Sequence, residues 1–268
     1  MNQLRWCVAG AAGTLIALAS SLFSQDPKTM DSRLEKMSRR AATLKMTFPE
    51  LPDRQPPHLL NSPVLRCNDP TREEMDGAVW LWVDGQRPVA VLCLLFYATG
   101  KWNYEHLSLT DEALEVTGRP DWSWKPKAAR RSWASIDQPV PDAPRARQQA
   151  MRALVRQFEA SELRRGEKFP LRLLERPIYS YADPDHGVTD AALFAISNGT
   201  NPEILVQIEA RQEQGKRQWQ VAFDRLTAAE ATVKLDGKEL WKIPATNSGK
   251  QDPRDPYYAV NELGPRVR

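Results

Sequence analysis

Residues 76–97, DGAVWLWVDGQRPVAVLCLLFY, constrain this chain more than any other stretch. Val79 to Val83 are strand formers, Asp84-Gly85 is a turn dipeptide, and residues 89–97 are an apolar run rich in β-branched and aromatic side chains. The pattern predicts two antiparallel strands around a tight turn. It returns at residues 190–211, DAALFAISNGTNPEILVQIEAR, where Asp190, Ala192, Gly199 and Pro202 stand in the places of Asp76, Ala78, Gly85 and Pro88.

The offset of about 114 residues carries the match upstream without a gap. Pro63 falls on Pro177, Asp69-Pro70 on Asp183-Pro184, and Met37 on Met151. Downstream the loop lengthens and Trp102 falls on Trp219, a change that loops tolerate. The sequence therefore predicts an α+β protein, a tandem duplication of one helix plus an antiparallel β-meander of about four strands, with pseudo-two-fold symmetry. The expected units are 31–117 and 144–243. Residues 118–143 read as a linker rich in proline and tryptophan, and 244–268 as a polar, loosely held tail.

Within each unit a helix comes first. Leu34, Met37, Ala41 and Leu44 recur at helical spacing over 31–45, and Met151, Leu154, Val155 and Phe158 do so over 144–163. Arg145, Arg147, Arg152 and Arg156 lie among the second set and read as a solvated face. Residues 1–24 have one arginine, an apolar run and small residues near Ala17-Leu18-Ala19, the order of a secretory signal peptide. An uncleaved anchor is the alternative. The expected localisation is exported, periplasmic or extracellular, with no membrane span after leader cleavage.

A net charge of +3 is too mild to argue for nucleic acid as a partner. Export leaves Cys67 and Cys93, too few for a disulfide scaffold, and the predicted strand between them keeps them unbonded. Three histidines, His58, His106 and His186, show none of the paired spacings of zinc sites, so neither a metal nor a cofactor is expected. The loop 183–190 alternates oxygen ligands without the full calcium-loop pattern, and its Asp183 and Asp190 suit turns. No Gly-x-Ser-x-Gly elbow occurs. His106 is the one catalytic candidate; its neighbour Glu105 must point to the opposite face of the strand, so another carboxylate would have to serve. Trp122, Trp124 and Trp133, in the linker, are the candidate ligand-binding residues.

The run Asp76-Gly-Ala-Val-Trp-Leu-Trp82 with Gly85-Gln-Arg-Pro-Val-Ala90, followed by Glu105-His-Leu-Ser-Leu109 and Leu171-Arg-Leu-Leu-Glu-Arg-Pro-Ile-Tyr179, resembles an uncharacterised family of exported bacterial proteins. The resemblance implies export and brings no activity and no site residues. The expected function is a non-catalytic binding or interaction module with a protein or small-molecule ligand. A hydrolase-like enzyme using His106 with an acidic partner is the alternative.

Overall fold

The computed structural model of the chain describes residues 27–69, 72, 74–213, 215–247 and 251–262. The leader over 1–24, with Cys7, lies outside the described residues. Among them no helix is long and apolar enough to cross a membrane.

Helix α1 (Pro27–Ala42) is followed by β1 (Lys45–Thr47), β2 (His58–Leu59), β3 (Leu65–Asp69), β4 (Glu74–Asp84), β5 (Arg87–Tyr97), β6 (Trp102–Ser108), β7 (Glu115–Thr117) and β8 (Trp133–Ile136). Helix α2 (Pro144–Val155) precedes β9 (Phe158–Arg164), β10 (Glu167–Pro170), β11 (Arg172–Leu173), β12 (Tyr179–Asp183), β13 (Val188–Asn198), β14 (Asn201–Glu213), β15 (Lys216–Arg225), β16 (Glu230–Leu235), β17 (Lys238–Ile243) and β18 (Tyr257–Asn261). A short 3-10 turn, Pro184–His186, separates β12 from β13.

The predicted fold class is corrected here. About 50% of the described residues are strand and 14% are helical, so this is a mostly β protein with several sheets, not a pair of helix-plus-meander units. One sheet runs β18-β6-β5-β4-β2, with β3 also on β4. A second runs β11-β13-β14-β15-β8, with β12 on β13. The first half ends in the two-stranded pair β1-β7, the second in a four-stranded sheet β10-β9-β16-β17. The linker contributes β8 to the second sheet, and the tail contributes β18 to the first. Such short edge strands take their ladder bonds from a neighbour and carry little pattern of their own. Residues 158–164, read as the end of a helix, are instead the inner strand β9, held by β16 at six positions and by β10 at four.

The two hairpins do have the glycine turns that their sequences require. Gly85 and Gly199 both have φ of +59°, at the first central position of a two-residue turn. Each helix packs on the outer face of one large sheet. Met37 and Ala41 of α1 meet Trp80, Leu92 and Leu94; Met151, Leu154 and Val155 of α2 meet Phe194, Val206 and Val221. Burying one such side chain is worth about 1.5–3 kcal/mol. Asp76 and Asp190, at matching places before the two hairpins, anchor these helices. Asp76 binds Arg66 at 2.6 Å, and Arg66 also donates to the Met30 carbonyl of α1. Asp190 binds Arg147, which is buried rather than solvated.

The inner faces of the two sheets meet in a third apolar cluster. Val79, Leu81, Val91, Cys93 and Leu95 pack there with Leu193, Ala195, Leu205 and Leu226, so the layers run helix, sheet, sheet, helix. Cys67 and Cys93 are buried and form no disulfide. Gly77 sits in this layer with no room for a methyl group: a Cβ would lie 2.6 Å from Leu95 Cδ2 and 2.9 Å from Cys67 Sγ. Gly77→Ala should therefore cost about 1–3 kcal/mol by overpacking. Urea unfolding checks this; an unchanged midpoint would mean that both side chains yield freely.

Candidate functional site

Strand β14 explains why the space between the sheets is polar at its ends. Ile204, Val206, Ile208 and Ala210 point outward to α2. The alternate residues Glu203, Gln207 and Glu209 point inward and are fully buried beside Leu205. A buried carboxylate must be paired and hydrogen-bonded. Glu209 accepts from Tyr181, from Gln207 Nε2 at 2.8 Å, from Arg211 Nε at 2.5 Å, and from Arg87 Nη2 at 2.8 Å. Arg87 comes from the opposite sheet and also binds Asp183 at 2.8 Å, so it ties the two sheets together.

Above this network a cleft of about 900 Å³ opens at the hairpin end of the molecule. Its walls are the β4–β5 turn, the Thr110–Asp111–Glu112 loop, Arg131 to Trp133, and the Pro184–His186 turn. Arg54 bridges Asp84 and Glu112 across one rim, the latter at 2.6 Å. Arg131 pairs with Asp224. Trp133 lies under two guanidinium groups, Arg211 at 4.1 Å and Arg131 at 5.0 Å from ring centroids. His186 donates from Nδ1 to both Asp183 oxygens at 2.9 Å, while its ring stays 66% exposed. Burial pushes the Asp183 carboxyl up, but the hydrogen bonds from His186 and Arg87 outweigh it and hold it below the usual range. Burial and then the Glu209 charge push the Tyr181 hydroxyl well above its usual value.

The sequence candidates separate into two places. Trp133 lines this cleft. Trp122 and Trp124 lie on the outer face of the first sheet and enclose His106, with ring centroids 4.9 and 5.2 Å from the imidazole. His106 is fully buried, neither ring nitrogen has a hydrogen-bond partner, and burial lowers its pKa to about 3. It is thus a neutral ring in an aromatic box. Trp124 is fully buried and donates its indole N–H to the Asp255 carbonyl at 2.9 Å.

Sequence reasoning missed Arg87, Tyr181, Glu209 and His186 as site residues. One signal was available: Glu203, Gln207 and Glu209 alternate with β-branched residues inside a strand whose two faces are both covered. Comparison with protein-family models, with characterised proteins and with solved structures gave no match.

Proposed function

We propose that this chain is an exported, non-catalytic binding module whose ligand enters the hairpin-end cleft, and that the ligand is polar and hydroxyl-rich, of the saccharide type. The observation that carries the reading is the lining. Arg54, Arg87, Arg131 and Arg211 are each already paired with a carboxylate, so none of the cleft's arginines is left uncompensated for a strongly anionic ligand. It offers instead fixed planar donors and acceptors around one tryptophan, which suits vicinal hydroxyl groups and a sugar ring edge. Pairing from both sheets pre-organises these groups and lowers the ordering cost of binding. The hydrolase reading has less support, because His106 is sealed away from solvent and carries no carboxylate partner. Export, and kinship with exported bacterial proteins, belong to this proposal on the strength of the leader-like order over 1–24.

Calorimetry with neutral chito-, cello- and malto-oligosaccharides tests the reading. At least one series should bind, and Trp133→Ala should weaken it by about tenfold or more, since a tryptophan anchor is worth about 2 kcal/mol. Trp122→Phe should leave affinity unchanged. Binding by none of them, or equal affinity in Trp133→Ala, would overturn the proposal.

A further inference from the structure

The opposite end of the intersheet space holds a larger cleft, about 1230 Å³, between β6 and β18 on one side and the β9–β10 hairpin on the other. Its chemistry differs from that of the first. Leu163 and Phe169, on the hairpin, are two of the three large apolar side chains left exposed among the described residues. Lys101, Arg164 and Arg165 stand around the same cleft, and Glu167 is the acidic residue that the hairpin contributes to its lining. Arg164 lies 4.8 Å over the Phe169 ring while binding Glu162 at 2.8 Å.

On the β6 side Glu105 faces inward, away from His106. Its Oε1 accepts from the Tyr257 hydroxyl at 3.0 Å, and its Oε2 is buried with no hydrogen-bond partner. An orphaned carboxyl oxygen in a cleft is costly unless something fills it.

We propose that this cleft is a second binding site, for a carboxylate-headed amphiphile of fatty-acid type, in which the protonated Glu105 carboxyl donates to the head group and Leu163 and Phe169 receive the tail. The basic rim supplies the charge complementarity. A neutral Glu105 gives a donor where an ionised one would repel the ligand. Burial, against the Tyr257 hydrogen bond and the Arg72 charge, raises this carboxyl to about 7. The other charged groups facing the floor are Arg72 and Glu203, paired at 2.7 Å, and Arg72 also binds Glu162 at 2.8 Å and Asp69 at 3.2 Å. Ligand binding should therefore take up a proton near neutrality, and affinity should fall as pH rises.

Calorimetry with dodecanoate on the full chain decides the matter. Affinity at pH 6 should exceed that at pH 8 by about threefold to tenfold, the range open to one linked proton. Glu105→Gln, which keeps a donor, should bind with that pH dependence lost, and Trp133→Ala should bind dodecanoate as the parent does. The last arm separates this site from the hairpin-end cleft. If Glu105→Gln fails to fold, the ¹³C signal of the Glu105 carboxyl in the parent chain reads the same linkage, and its titration should move to higher pH with dodecanoate bound. No dodecanoate binding, equal binding of acetate or of dodecyltrimethylammonium, or an unmoved Glu105 titration would each overturn the proposal.

Discussion

Arg72→Met should lower the stability of this protein by about 3–5 kcal/mol at neutral pH, the cost of leaving buried charges without their counter-ion. The Arg72 guanidinium binds Glu203 at 2.7 Å, Glu162 at 2.8 Å and Asp69 at 3.2 Å. All three carboxylate side chains are essentially inaccessible, and they come from three different strands, β14, β9 and β3. Methionine keeps much of the stem's packing, so the loss reports charge rather than volume. The deficit should also depend on pH. Burial raises the Glu203 carboxyl, Arg72 opposes this, and Glu162 adds to it; without Arg72 the rise is larger. A carboxyl raised on folding contributes fully below its unfolded value of about 4.5 and loses that contribution as pH climbs through its folded value. The parent should therefore lose stability between about pH 4.5 and 8 through Glu105 and Glu203, and the variant should lose more. Urea unfolding of both chains at pH 5 and pH 8 measures this. A difference below about 1 kcal/mol at pH 8 would mean that water or another cation replaces Arg72.

Gly118→Ala is the second large effect. Gly118 follows β7 and lies against the corner between α1 and β1, with φ of +112°. A Cβ there would sit 2.1 Å from the Thr43 carbonyl oxygen and 3.1 Å from Leu44 Cα. Both contacts are backbone, so no rotamer change relieves them. The strained φ costs about 1–3 kcal/mol and the close approach a similar amount, for a loss of about 2–6 kcal/mol. Gly85→Ala is the internal control. Its φ is +59°, yet nothing lies within 4 Å of the added Cβ, so only the conformational cost applies. Equal thermal midpoints for the two variants would show that the α1–β1 corner moves aside.

What the sequence made legible was local. The Gly85 and Gly199 turns, the burial of Met37 and Met151, and the absence of a Cys67–Cys93 disulfide follow from turn chemistry, periodicity and strand spacing. The fold class did not follow. The edge strands β8 and β18 exist because β15 and β6 offer them edges, and no pattern within Trp133–Ile136 or Tyr257–Asn261 announces that; β9 is fixed by β10 and β16 on its two sides. The same holds for the sites. His106 attracted notice as a polar residue in a strand, but its partners Trp122 and Trp124 arrive from a segment that sequence alone leaves unplaced. Arg87 was invisible because its carboxylates, Asp183 and Glu209, lie about 100 residues away on the facing sheet, a pairing that only the packing of the two layers creates.

The central claim is that ligand recognition takes place in the cleft around Trp133. Its most direct test is an NMR titration of the ¹⁵N-labelled chain with the oligosaccharide that binds best. The Trp133 indole, the amides of Gly85 to Arg87 and the His186 ring should shift together, while the Trp122 and Trp124 indoles stay in place. Shifts centred on Trp122, Trp124 and His106, with Trp133 unmoved, would contradict it.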